Sequence, residues 1–170
     1  MKKVDIPELN RLIDAHQSEL LRFAWGVLGD GSLAQDAVQA AFEALAVRGE
    51  APENPRAWLY KVTRTRALNI LRSRKRFEFI GDPPENFCGE SGSPEESVCR
   101  DERSRILREA VAELPGVQRA VLMLRYDRDM SYREIAAVMG SSSGTVGAHL
   151  HSALKNLASR LRKHFSEEGK

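Results

Sequence analysis

Apolar residues recur every three or four positions through most of the chain, the period of a helix with one buried face. Leu9, Leu12, Ile13, His16, Leu20, Ala24, Val27 and Leu28 form the first such stripe. Gly29-Asp30-Gly31 predicts its end, and Ser32 with Gln35 reads as a capping box opening a second helix. Leu33, Ala37, Val38, Ala41, Phe42 and Leu45 carry the second stripe. A polar loop over 48–54 follows. Asn54 is then a cap residue and Pro55 a first-turn residue for a third, long helix running to Arg76.

The periodicity then lapses. Gly81, Asp82, Pro83, Pro84, Gly89, Gly92, Ser93 and Pro94 punctuate the chain as a linker does. Ser93 to Glu96 reads as the cap of a further helix, whose buried face holds Ile106, Leu107, Ala110, Val111 and Leu114. Pro115-Gly116 breaks it, and Val117 to Tyr126 predicts a short apolar helix. Ser131-Tyr132-Arg133-Glu134 is a second capping box, with Ile135, Ala136 and Met139 turned inward. Gly140 supplies a permissive turn, and Val146 and Leu150 anchor a last helix over 143–161. The expected fold is all-α. Two small helical domains, 1–78 and 103–170, are joined by a flexible acidic linker, 79–102, that runs into the first helix of the second domain. That domain carries the spacing of a helix-turn-helix; an αα-hairpin that only packs has the same spacing.

Charge changes this picture. The chain has 26 Lys+Arg and 24 Asp+Glu, a net of +2 over 170 residues. By segment the net charge is +3 over 1–78, −6 over 79–102 and +5 over 103–170. The small total averages two basic modules and an acidic connector. The connector is either a plain solvated linker or a screen over the basic surfaces of the free protein. Lys61, Arg64, Arg66, Arg72, Arg74, Lys75 and Arg76 give seven cations and no anion across 61–76, interleaved with Thr63, Thr65 and Asn69. Trp58 and Tyr60 lie just before this run. Cations bind phosphates with release of counterions, and aromatic faces stack on unpaired bases. A merely solvated basic face is the alternative.

Other classes are disfavoured. The longest apolar run, Ala24 to Gly29, is far below the roughly twenty residues of a membrane span. Asp5, Pro7, Glu8 and Asn10 follow Met1-Lys2-Lys3 in place of an apolar signal segment, so a cytoplasmic location is expected. No phosphate-cradling glycine loop and no nucleophile-base pair is visible, so no enzyme, cofactor or metal is expected. His149 and His151 are two apart and diverge on a helix. Cys88 and Cys99 read as ordinary thiols, with a redox role left open.

Five motifs in order carry a resemblance. They are Asp36-Ala37-Val38-Gln39 before Phe42; Pro55-Arg56-Ala57-Trp58-Leu59-Tyr60; Leu114-Pro115 with Arg119 and Val121-Leu122; Ser131 to Ala136; and Gly144-Thr145-Val146. The chain resembles, over nearly its whole length, the extracytoplasmic-function sigma factors, two-domain promoter-recognition subunits of bacterial RNA polymerase. The resemblance implies that Asp36, Gln39 and Phe42 meet the clamp of the largest polymerase subunit, and that the second domain meets the flap of the second-largest. It implies that Tyr60, Lys61, Arg64, Thr65, Asn69 and Arg72 handle the minus-ten promoter element during melting. It assigns the minus-thirty-five element to Ser143, Thr145, His149, His151 and Lys155. An anti-sigma factor is a further implied partner.

The sequence departs from the family pattern at Ala40, where many members carry an acid, and at Thr65 and Asn69, where Asn and Asp are common. Gly147-Ala148-His149 stands where many members have Lys-Ser-Arg. A stand-alone helix-turn-helix regulator and a polymerase-binding adaptor are the competing classes.

Overall fold

A computed structural model describes residues 4–78 and 98–167. The acidic segment 79–97, with Cys88 and the predicted cap at Ser93, lies outside the described residues.

Helix α1 (Ile6–Leu28) starts where the Asp5 carboxylate accepts from the Glu8 amide at 2.9 Å, and ends at Gly29, whose φ of 68° is left-handed. Helix α2 (Gly31–Arg48) opens two residues earlier than the sequence suggested. Its cap is Asp30, which accepts from the Leu33 amide at 3.0 Å, and not Ser32 with Gln35. Asp is at least as good an N-cap as Ser, and its charge favours the positive helix end. The Leu33 amide bond, joined by Arg74, holds the Asp30 carboxyl below its usual range. Helix α3 (Pro55–Glu78) has the predicted cap, with Asn54 accepting from the Ala57 amide at 3.0 Å.

These three helices form the first bundle. Leu20, Phe23, Val27, Leu45 and Leu59 are fully buried within it. Removing such a side chain from water contributes roughly 2 kcal/mol.

The second bundle begins with α4 (Val98–Ala112) and α5 (Gly116–Leu122), separated by Pro115. The predicted helix over 117–126 is not α-helical throughout: Met123–Asp127 is a π-helical turn. The wider turn changes the side-chain register and precedes Asp129, a non-glycine residue with φ of 51°. Helix α6 (Tyr132–Met139) opens on the predicted capping box, with the Glu134 carboxylate accepting from the Ser131 amide at 2.8 Å. Gly140, at φ 63°, ends it, and the Ser141 amide returns to the Ala136 carbonyl at 3.0 Å. Helix α7 (Ser143–Glu167) crosses α6 and α5, with Val146, Leu150 and Ala153 buried. α6 and α7 are the helix-turn-helix.

The two bundles touch. One continuous hydrophobic cluster includes residues of both. Gly26 of α1 lies under Met123: a Cβ there would sit 3.2 Å from Met123 Cγ and closer still to its sulfur. A Cβ on Gly116 would fall 2.9 Å from both Leu68 Cδ2 and Leu71 Cδ1 of α3. A side chain at either position would have to displace the flexible ends of Met123, or of Leu68 and Leu71, from where they now pack.

Candidate nucleic-acid interface

Two helices carry the candidate contacts. On α3, Lys61, Thr65, Asn69 and Arg72 are exposed. At about 100° per residue they share a stripe roughly 80° wide. Arg72 donates to Asn69 Oδ1 at 3.2 Å, and Thr65 Oγ1 donates to the Lys61 carbonyl at 2.8 Å. These bonds orient the stripe while leaving most of the Lys61 and Arg72 donors to solvent.

Three further cations of α3, Arg64, Arg74 and Arg56, are committed inside the protein, while Arg66 is exposed on another face of the helix. Arg64 turns to the second bundle and donates to the Val138 carbonyl of α6 at 3.1 Å. Burial, aided by neighbouring Arg72, lowers the proton affinity of its guanidinium. Arg74 pairs with Asp30 at 3.0 Å, and Arg56 with Glu19 at 3.2 Å. The sequence showed the cations but not these partners, because Glu19 and Asp30 lie 37 and 44 residues away along the chain.

Tyr60 differs from the stacking role the resemblance implied, while Phe42 is buried as its place on the apolar stripe of α2 predicts. Tyr60 is fully buried, with its ring edge-on to Phe23 at 5.3 Å between centroids and its hydroxyl donating to Glu19 at 3.2 Å. Burial and the Glu19 charge push its pKa up to about 12. Burial also raises the Glu19 carboxyl, but the Arg56 charge and the bonds from Tyr60 and Arg56 outweigh it, leaving Glu19 below its usual range. Tyr60 therefore packs the core and offers no free face for stacking. Phe42 is likewise buried, beneath the exposed Asp36 and Gln39. Gln39 donates to Glu43 at 2.8 Å along the same face.

On α7 the cap is Ser142. Its hydroxyl accepts from the Thr145 amide at 3.1 Å and lies 2.9 Å from Thr145 Oγ1. The sequence signal was the serine run before Gly144, a run of cap residues. Ser143, Thr145, His151 and Lys155 are exposed, and His149 is half-buried. Opposite the buried Val146–Leu150 side, the outward stripe is Gly144, Ala148, His151 and Lys155. It continues to Arg162 beside a depression lined by Lys155, Ser159, Arg162 and Lys163. Asn156 is used otherwise, donating to Gln118 at 2.9 Å, and Arg160 pairs with Glu113 in the turn just after α4. The α7 stripe thus brings together His151 and Lys155; exposed Ser143 projects about 110° away on the Leu150 side. Thr145 lies on the opposite flank, and half-buried His149 turns toward the Val146 side.

Arg119 of α5 lies outside both stripes, and its role was not visible in the sequence beyond its motif position. It is nearly buried among apolar residues and donates to the carbonyls of Val27, Ala112 and Leu114, the last at 3.1 Å. Val27 lies in the last turn of α1 and Ala112 ends α4. One guanidinium therefore caps the negative ends of two helices, one from each bundle.

A helical bundle with an exposed basic stripe, followed by a helix-turn-helix, defines a two-domain DNA-reading protein. Its sequence matches the family Sigma-70 region 2 over residues 12–77 and the family Sigma-70, region 4 over residues 104–157. It is 30% identical to the ECF RNA polymerase sigma factor SigL of Mycobacterium tuberculosis over 159 residues, 91% of this chain and 89% of the relative. It is 28% identical to the RNA polymerase sigma factor SigV of Bacillus subtilis, covering 89% of each chain. The fold is similar to a sigma factor RpoE in complex with the anti-sigma factor NepR from Bartonella quintana. There the TM-score is 0.66 at 22% identity, over 92% of this chain and 95% of that one. It is also similar to CnrH in complex with the cytosolic domain of CnrY, with TM-score 0.65, 22% identity and coverage of 94% and 90%. The chain belongs to the ECF family of RNA polymerase sigma factors, and its function is promoter recognition for bacterial RNA polymerase.

Proposed function

We propose that the two exposed stripes divide promoter recognition between them. Lys61, Thr65, Asn69 and Arg72 of α3, joined by Arg64 once its bond to α6 is released, hold the minus-ten strand during melting. Cations take its phosphates, and the short polar side chains reach base edges. His151 and Lys155, with Ser143, Thr145 and His149 on the same helix, read the minus-thirty-five duplex from α7 in the manner of a helix-turn-helix. With Gly147 and Ala148 in place of bulky cations, backbone amides at the start of α7 hold a phosphate. Asp36 and Gln39 dock on the polymerase clamp, with Phe42 supporting their helix from inside, and the second domain meets the flap. Tyr60 similarly supports α3 from the core.

The observation that carries this reading is the pair of exposed polar stripes on α3 and α7, one in each family-matched segment. The boundaries 1–78, 79–102 and 103–170 remain our division of the chain. Both structural relatives are in complex with an anti-sigma factor, and we extend such a partner to this chain, acting in the cytoplasm. Among the described residues no helix is long and apolar enough to cross a membrane.

Run-off transcription with core polymerase tests the proposal. Specific initiation that depends on both promoter elements is expected. Binding to duplex DNA without initiation would mark a regulator. Binding to core without promoter choice would mark an adaptor.

A further inference from the structure

The outward side of α7 continues well past the residues assigned to the minus-thirty-five element. Gly144, Ala148, His151, Lys155, Ser159 and Arg162 are all exposed. At about 100° per residue they fall within roughly 80° of one another, opposite the buried Val146, Leu150 and Ala153. The stripe changes character part-way. Its first half, Gly144, Ala148 and His151, has small residues and no Lys or Arg. Its second half is cationic. Lys155, Ser159, Arg162, Lys163 and Ser166 line an open depression, with no acid among them.

The spacing separates the two halves in space. At 1.5 Å per residue, Lys155 lies about 16 Å along the axis from Gly144, and Arg162 about 27 Å. The major groove of B-DNA is about 12 Å wide. A helix that enters the groove by its first turns therefore carries Lys155 to the bordering phosphates, and Arg162 and Lys163 past them.

This second half is held firmly and its cations are left unpaired. Asn156 donates to Gln118 of α5 at 2.9 Å, and Arg160 pairs with Glu113, so another side of the same turns is fastened to the domain. Arg162 Nε reaches only the Ala158 carbonyl of its own helix, at 3.4 Å. Among the described residues no carboxylate pairs with Lys155, Arg162 or Lys163. The match to Sigma-70, region 4 ends at residue 157, before Ser159, Arg162 and Lys163.

We propose that the second half of α7 is a separate docking surface for the phosphate backbone of duplex DNA, formed by Lys155, Arg162 and Lys163 beside Ser159. It holds the strand that borders the groove read by the first half, whatever the bases there, and supplies affinity that the small residues of the first half do not. Charge complementarity and continuity with the reading stripe favour duplex phosphates over an acidic protein surface. The inference rests on the reading of α7 as the minus-thirty-five helix.

The test is binding of reconstituted holoenzyme to two duplexes between about 50 and 200 mM salt. One carries the promoter used for run-off transcription, and the other has its minus-thirty-five bases scrambled. Arg162→Ala with Lys163→Ala removes two phosphate contacts. Over that range the wild-type affinity should fall about tenfold more than the variant's, and equally so on both duplexes. Arg162→Lys with Lys163→Arg keeps both charges and should behave as wild type, which separates an effect of charge from one of packing. An unchanged salt dependence in the alanine variant would overturn the proposal, as would loss of the salt dependence in the exchanged pair. Weaker binding to core at unchanged salt dependence would also overturn it and mark the patch as a surface for an acidic protein. Discrimination between the two duplexes reports the minus-thirty-five reading separately. If discrimination is absent while the salt shift persists, that reading fails and the phosphate surface stands.

Discussion

Helix α3 has more charge than α7, yet less of that charge is available. Arg56, Arg64 and Arg74 are engaged by Glu19, Val138 O and Asp30, and among the described side chains the exposed cations are Lys61 and Arg72 on the polar stripe and Arg66 away from it. Helix α7 has few cations near its start, but its outward side, through His151 and Lys155, is unobstructed. Charge density along a helix therefore does not measure its readiness to bind. What counts is which donors lack an internal acceptor.

The largest expected effect breaks the α7 side of this comparison. Leu150 is nearly fully buried where α7 meets its own domain. Leu150→Ala should cost about 3 kcal/mol in chemical denaturation and remove minus-thirty-five binding with it. Arg119→Met acts on both regions at once. It leaves buried helix-end carbonyls of α1 and α4 without their donor, and should cost about 2 kcal/mol by the same measurement. If the loss appears equally in an isolated second domain, the bond to Val27 contributes nothing.

The acid limb of stability sharpens the α3 side. Asp30 and Glu19, which hold Arg74 and Arg56, both have lowered folded-state pKa values, as does Glu134 through its bond from the Ser131 amide. A carboxyl lowered by folding stabilises the protein above its unfolded value of about 4, and that contribution is lost as pH falls through the folded value. Thermal stability should therefore fall below about pH 4. Asp30→Asn keeps a capping oxygen but removes the titration and should make that fall shallower. The smallest effect expected is on α7: Lys155→Ala should lower the salt dependence of DNA binding by about one counterion, with little change in stability.

The helix-turn-helix was legible because local rules determine it. The Ser131–Glu134 box, the left-handed Gly140 and the Val146–Leu150 side all follow from neighbours within a few residues. The α2 cap was misplaced because Asp30 and Ser32 satisfy the same rule two residues apart, and the Leu33 amide chose the former. The π-helical turn had no signal in an apolar run that suits an α-helix equally well. Phe42 was legible as a buried residue from its stripe, but Tyr60 was offered as a contact because residue type cannot tell a core aromatic from an exposed one. Its burial depends on Phe23, Glu19 and the packing of three helices. Arg64 and Arg119 were visible as cations, but their acceptors lie 74 and 92 residues away along the chain.

The division of labour between α3 and α7 is tested most directly by permanganate footprinting of promoter melting with reconstituted holoenzyme. Lys61→Ala with Arg72→Ala should keep duplex promoter binding but lose reactive thymines at the minus-ten element. His151→Ala with Lys155→Ala should weaken duplex binding, and a promoter supplied already open at minus ten should restore its activity. If both double variants lose the same step, and the open promoter rescues both or neither, the two helices do not divide recognition as described.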